Sequence, residues 1–204
     1  MPGPIRVLVA EDQALVRGAV AALLSLEPDL EVVAEVERGD QVVATAHVTG
    51  PDVAVLDVEM PGINGIAAAE ILRRELPSCR VLIVTTFGRP GYLRRAMESG
   101  ASGFIVKDTP ADQLADAIRR VHAGLRVVDP ELAAESLAAG DNPLTPREAD
   151  VLREAKDGSS VTEIAARLFL GDGTVRNYLS SAIGKTGSRN RVEAVHVAEK
   201  NGWL

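Results

Sequence analysis

The sequence predicts an α/β domain on a five-stranded, parallel, doubly wound sheet, followed by a small all-α domain. Three observations carry this reading. Five short runs rich in Val and Ile recur through residues 1–124, separated by stretches with helical period. Strand signals stop after Gly124. The charge also divides: through Gly140 there are 13 Lys+Arg against 20 Asp+Glu, and from Asp141 onward 9 of each.

The strand candidates are Ile5–Ala10, Glu31–Val36, Val53–Leu56, Arg80–Val84 and Gly103–Val106. Between them, Leu15, Ala19, Leu23 and Leu26 form one helical stripe, Ala67, Ile71 and Leu72 a second, and Leu114, Ala117, Ile118 and Val121 a third. Nearly continuous apolar strands alternating with helices imply a parallel sheet covered on both faces. Residues 125–142 read as a linker carrying a short Ala-rich piece, Pro130–Ala139. From 143 to 204 the pattern is helical only. Thr145-Pro146-Arg147-Glu148 is a capping box with Pro at the first helical position. Further helices are expected from Ser160 or Thr162, from about Asp172, and from Asn190 or Arg191 to Asn201.

With 46% hydrophobic and 25% charged residues, the 204-residue chain has the composition of a soluble globular protein. Its longest apolar runs, such as Val81–Val84, fall well short of the roughly 18 residues of a membrane helix. No basic segment followed by an apolar stretch opens the chain, and Cys79 stands alone. A cytoplasmic protein without membrane insertion is the expectation. The net charge of −7 argues against nucleic acid, but Gly173–Arg191 holds Arg176, Lys185, Arg189 and Arg191 and no acid.

Ligands of a parallel sheet sit at the carboxyl ends of its strands. Glu11 and Asp12 follow the first strand, Asp57 the third, Thr85 the fourth and Lys107 the fifth. Taken singly, an Asp there is most often a loop residue or cap, Lys107 a solvated charge and Thr85 a strand-end hydroxyl. Together, three mutually repelling carboxylates call for a divalent cation, and oxygen ligands suit Mg²⁺. An ionised Asp beside it can attack an activated phosphoryl group, with the metal and an ammonium offsetting the developing charge.

Residues 1–124 resemble the receiver domain of two-component systems. The matching motifs are Val-Ala-Glu-Asp (9–12), Leu-Asp-Val-Glu-Met-Pro-Gly-Ile-Asn-Gly (56–65), Val-Thr-Thr-Phe (84–87) and Gly-Phe-Ile-Val-Lys-Asp (103–108). The resemblance implies a flavodoxin-like strand order 2-1-3-4-5 and phosphorylation of Asp57 by a sensor histidine kinase. It makes Asp12 and Asp57 direct Mg²⁺ ligands, with Glu11 acting mostly through water and the Glu59 backbone carbonyl as a further ligand. Lys107 and Thr85 would contact the phosphoryl oxygens, Thr85 drawing the 85–89 loop inward. Phe104 would be an aromatic switch, without the hydroxyl of the commoner Tyr. A haloacid-dehalogenase-type enzyme also uses a strand-end Asp, but such enzymes carry Asp-x-Asp at the nucleophile. Here Glu59 stands two after Asp57, and the acidic pair precedes it.

A short helix, a turn and a second helix with a basic outer face suit the major groove of DNA. With Val175, Leu179, Ala182 and Ile183 turned inward, Arg176, Asn177, Ser180, Ser181 and Lys185 face outward. Residues 143–204 resemble the LuxR-type helix-turn-helix of NarL/FixJ-family response regulators through Leu-Thr-Pro-Arg-Glu-Ala-Asp-Val-Leu (144–152), Glu-Ile-Ala-Ala-Arg-Leu (163–168), Gly-Thr-Val-Arg-Asn-Tyr-Leu-Ser (173–180) and Arg-Asn-Arg-Val-Glu-Ala (189–194). Carried over, Arg176, Asn177 and Ser180 face bases; Thr174, Tyr178, Lys185 and Arg189 or Arg191 contact or support the backbone. Four positions depart from the family: Gly171 for a capping residue, Thr162 for a phosphate-binding Lys, Gly184 late in the recognition helix and Thr186 at a usually apolar place.

Residues 85–92, 142–145, 173–178 and 200–203 resemble the DesR subgroup, which regulates membrane-lipid desaturation. The resemblance implies a non-enzymatic transcription regulator that dimerises on phosphorylation and binds double-stranded DNA at inverted repeats, with RNA polymerase as a candidate partner. The dimer surface would be the first and fifth helices (near Gln13–Leu26 and Thr109–Ala123) or the face near Tyr92.

Overall fold

The computed structural model describes residues 3–86, 90–138 and 142–204. They form two compact units, one built on the sheet and comprising the described residues up to 86 with Leu93–Ala133, the other comprising Ala134–Leu204 together with residues 90–92.

The first unit alternates strand and helix: β1 (Ile5–Ala10), α1 (Ala14–Leu24), β2 (Leu30–Val36), α2 (Gly39–Thr49), β3 (Val53–Asp57), α3 (Gly65–Glu75), β4 (Arg80–Thr85), α4 (Pro90–Ser99), β5 (Gly103–Val106), α5 (Ala111–His122) and β6 (Val127–Val128). All strand pairs are parallel, in the order β2-β1-β3-β4-β5-β6. The sheet thus has one strand more than expected. Val127 and Val128 pair with Gly103 and Phe104, within the stretch read as linker. Two residues are too few to display a period, so only the neighbouring β5 edge makes them a strand. Every residue of β3 is buried, as a central strand with covered faces requires. Val7, Val9, Val55, Leu82, Leu114 and Ile118 belong to the core on the α1 and α5 side.

The first helical stripe is corrected by the structure. Leu15 is 87% exposed and Leu26 78%, Ala19 is exposed, and Leu23 is 42% exposed. Ala21 and Leu24 are buried instead, with Val16 and Val20 half-buried. In a segment apolar nearly all round, stripes offset by one residue fit a helical period equally well. The anchor is Arg17, whose guanidinium donates to the Glu11 carbonyl at 2.6 Å and lies near Glu35 and Glu37. The α5 stripe is buried as read, whereas in α3 Leu72 is buried and Ala67 and Ile71 only half so.

Tight backbone approaches fix the loops around the β3 carboxyl end. A Cβ on Gly65 would lie 1.9 Å from the Asp57 carbonyl oxygen, and one on Gly39 1.8 Å from that of Ile63.

The second unit holds α6 (Pro130–Ala138, which starts just before Ala134), α7 (Pro146–Glu154), α8 (Val161–Leu168), α9 (Asp172–Lys185) and α10 (Arg191–Lys200). The Thr145–Glu148 capping box is present, and a second one, Ser160–Glu163, fixes the start of α8 at Val161. Val151, Leu152, Ile164, Val175, Ala182 and Ala194 centre its core.

Gly65→Ala is expected to destabilise the first unit by about 2–3 kcal/mol, since a backbone carbonyl cannot yield. Gly18→Ala, in exposed α1 with nothing near its Cβ, should stabilise by about 0.5–1 kcal/mol. Urea denaturation of each variant measures both.

Candidate functional site

The strand order makes β1 and β3 neighbours, so their carboxyl ends deliver Glu11, Asp12 and Asp57 to one spot. One carboxylate oxygen of each lies within 4.8 Å of the others. Glu11 and Asp57 are buried, at 4% and 5% exposure, and Asp12 is open to solvent. From the end of β5, Lys107 reaches Glu11 Oε2 at 2.5 Å and Asp57 Oδ2 at 3.0 Å. The other Asp57 oxygen accepts the Val58 N–H at 2.7 Å. Thr85 is buried at the end of β4, where its carbonyl accepts the Lys107 N–H at 2.8 Å.

Burial raises the Glu11 pKa above the usual carboxylate value and Asp57 adds to the rise, against the Lys107 ammonium and the Gln13 N–H. For Lys107, burial pulls the other way, and the two carboxylates outweigh it and raise the ammonium's pKa. Three carboxylates against one ammonium leave the pocket two negative charges in excess. This donor set, three carboxylates gathered at one spot, fits a hard divalent cation. Glu59 lies in the turn after β3 with its side chain exposed, and Phe104 is fully buried in β5. Residues 87–89 of the loop after Thr85 lie outside the described residues.

On α9, Val175, Leu179 and Ala182 are buried, and Tyr178 and Ile183 are half-buried against the same core. Thr174, Arg176, Asn177, Ser180 and Ser181 are exposed. All three expected backbone-contact cations are engaged within the domain. Lys185 donates to Glu148 Oε2 at 2.7 Å, and Arg191 donates to the Ser159 carbonyl at 2.9 Å. Arg189 pairs with Glu193 at 3.0 Å, and Arg176 lies 3.9 Å from Asp172. Gly171 caps α9 without a side-chain bond, while Thr162 donates to Asp172 Oδ2 at 3.0 Å, tying α8 to the start of α9. The Thr186 hydroxyl donates to the Ala182 carbonyl at 2.8 Å, so a polar residue at this place is satisfied locally.

Glu148 is a residue whose full role the sequence concealed. Read there as a cap alone, it is buried at 4% exposure and also accepts from Ser181 at 2.6 Å and from Lys185. Burial works to raise its pKa, but Lys185, Ser181 and the Thr145 N–H outweigh it and hold it at about 2. The acid-free stretch containing Lys185 was the one available signal that a distant carboxylate was needed.

Residues 7–119 match the family described as response regulator receiver domain, and residues 142–198 match the bacterial regulatory proteins of the luxR family. Over 200 residues the chain is 44% identical to the transcriptional regulatory protein DesR of Bacillus subtilis (strain 168), covering 98% of this chain and 99% of DesR. The crystal structure of response regulator ChrA, of a heme-sensing two-component system, is 32% identical, with TM-score 0.60 and full coverage of both chains. The structure of the response regulator RcsB–DNA complex is 25% identical, with TM-score 0.69, covering 97% of this chain and 99% of that one.

Because the folded pKa of Glu148 lies below its unfolded value, its stabilisation is full above about pH 4.5 and is lost as pH falls toward about 2. Glu148→Gln should flatten that acid limb and cost about 2 kcal/mol at neutral pH, a typical value for charged hydrogen bonds. The fluorescence of Trp203, the single tryptophan, followed through urea titrations at pH 2.5–7, reads both effects.

Proposed function

Because the chain belongs to the response regulators that join a receiver domain to a LuxR-type DNA-binding domain, we propose that phosphorylation of Asp57 by a sensor histidine kinase switches it into a DNA-binding dimer. The supporting observation is the Lys107 ammonium shared between Asp57 and Glu11 inside the carboxylate cluster. The proposed division is 1–124 receiver, 125–142 linker, whose Val127–Val128 add the sixth strand to the receiver sheet, and 143–204 DNA-binding domain.

Mg²⁺ is the cofactor, held by Asp12, Asp57 and the Glu59 backbone carbonyl, with Glu11 acting mostly through water. When bound, it offsets the charge that develops on the phosphoryl group in transfer. Asp57 supplies the attacking oxygen, and the bond to the kinase's phosphohistidine nitrogen breaks as the acyl phosphate forms. The Val58 N–H orients the Asp57 carboxylate, and Lys107 stays with the new phosphoryl oxygens. The modification adds nearly two negative charges and strong acceptors beside Lys107 and Thr85. Thr85 turns toward them and Phe104 repacks, shifting the receiver toward its dimerising state.

The leucines on α1 favour helices one and five over the Tyr92 face as the dimer surface. Leu15 on α1 and Leu26 just beyond its end stand largely exposed, and two copies would cover them. The dimer sets two α9 helices on an inverted repeat about one DNA turn apart. Arg176, Asn177 and Ser180 read bases; Thr174, Tyr178, Lys185, Arg189 and Arg191 hold or brace the backbone. The protein acts in the cytoplasm and regulates transcription, with RNA polymerase as a partner. The DesR-subgroup motifs carry the proposal on to membrane-lipid genes.

Selection of genomic DNA by the purified protein with Mg²⁺, with and without beryllofluoride, tests the reading. Enrichment of a few inverted-repeat sites by activated wild type, absent in Asp57→Ala, is the expected outcome. Enrichment that is independent of beryllofluoride, or none at all despite dimerisation, would overturn it, the latter pointing to a protein contact as output. Arg176→Ala should weaken specific binding about tenfold or more and relax preference at one base position; titration against selected and scrambled sites measures this.

A further inference from the structure

Between α1, α5 and the sheet, beneath the Glu11–Asp57–Lys107 cluster, lies a cavity of about 150 Å³ whose aliphatic part the phosphorylation reading does not use. Val9, Val55 and Ile105 wall it from the sheet, Val16 and Val20 from α1, and Leu114 from α5. Glu11, Asp57 and Lys107 close one end. Leu23, which also lines it, is 42% exposed.

Protein cores rarely leave voids much larger than a water molecule. Leu24 of α1 is buried in the core, but Leu15 is turned outward, so next to the cavity α1 offers Val16, Val20 and the partly exposed Leu23. Ordered water needs two to four polar partners, and the aliphatic walls provide them at one end only. The volume sets the size of an occupant. It is well below the roughly 300–1,000 Å³ of pockets for drug-sized ligands, and equals the roughly 150 Å³ of an aliphatic cavity that takes benzene. The polar end sets its charge, since two carboxylates beside one ammonium repel an anion. We propose that this cavity is a binding site for a small uncharged apolar molecule of about six to eight non-hydrogen atoms, with at most one hydroxyl turned toward Lys107. Its occupant fills the space beneath α1 and braces that helix against the sheet.

The test uses the full-length protein without phosphoryl donor, Mg²⁺ or DNA, so its result is independent of the phosphorylation switch. Benzene is the probe and benzoate the charged control, followed by methyl-detected NMR. Benzene should give saturable shifts at the Val16, Val20 and Leu114 methyls and raise the unfolding temperature; benzoate should do neither. Val20→Phe fills the cavity and should abolish the shifts, and Val16→Leu should weaken binding at least tenfold, which serves should the larger replacement fail to fold. Absence of saturable shifts in the wild type, equal binding of benzoate, or undiminished binding in a folded filling variant would overturn the proposal. If neither variant folds, the benzene–benzoate contrast in the wild type decides.

Discussion

The Lys107 ammonium, shared between Glu11 and Asp57, is the interaction around which the first unit is arranged. A parallel sheet with β1, β3 and β5 on the same side of their connections must bring their carboxyl ends to one edge. In this chain that edge gathers three acids, two of them buried. Two buried like charges side by side are tolerable only with compensation, and Lys107 provides it from a strand two places away from β3. The glycines at 39 and 65, pressed against carbonyls, let the surrounding loops close down on the same edge. One cation thus satisfies a folding requirement and joins the carboxyl ends of β1 and β3.

The second unit solves a comparable problem on a smaller scale. Glu148 joins the start of α7 to the end of α9 through Thr145, Ser181 and Lys185. The same contact takes Lys185 partly out of service as a free cation, whereas Asn177 and Ser180 project from the exposed face with no such tether. The outward face of α9 therefore differs along its length. Its N-terminal half leaves Arg176 and Asn177 exposed, and its C-terminal end is fastened to α7. The Thr162–Asp172 hydrogen bond holds the turn between α8 and α9 where Gly171 offers no cap.

The orientation of α1 links two features that are otherwise unrelated. With Arg17 fixed on the Glu11 carbonyl, the helix turns Val16, Val20, Ala21 and Leu24 inward and leaves Leu15 outside as apolar surface. The cavity lies where Val16 and Val20 face β1, β3 and β5.

The sequence by itself determined the alternation of strands and helices, the starts of the C-terminal helices to within a residue or two, and the strand-end positions of Glu11, Asp12, Asp57, Thr85 and Lys107. All of these rest on local rules: side-chain period, capping chemistry and the residue that follows a strand. Tertiary structure decided what local rules leave degenerate. The face of α1 was ambiguous because the segment is apolar nearly all round, and β6 was invisible because two residues have no period. The partner of Lys185 lay 37 residues away in another helix. Periodicity names the elements, but which face is buried and which charges meet depend on what packs alongside, and that exists only once the chain has folded.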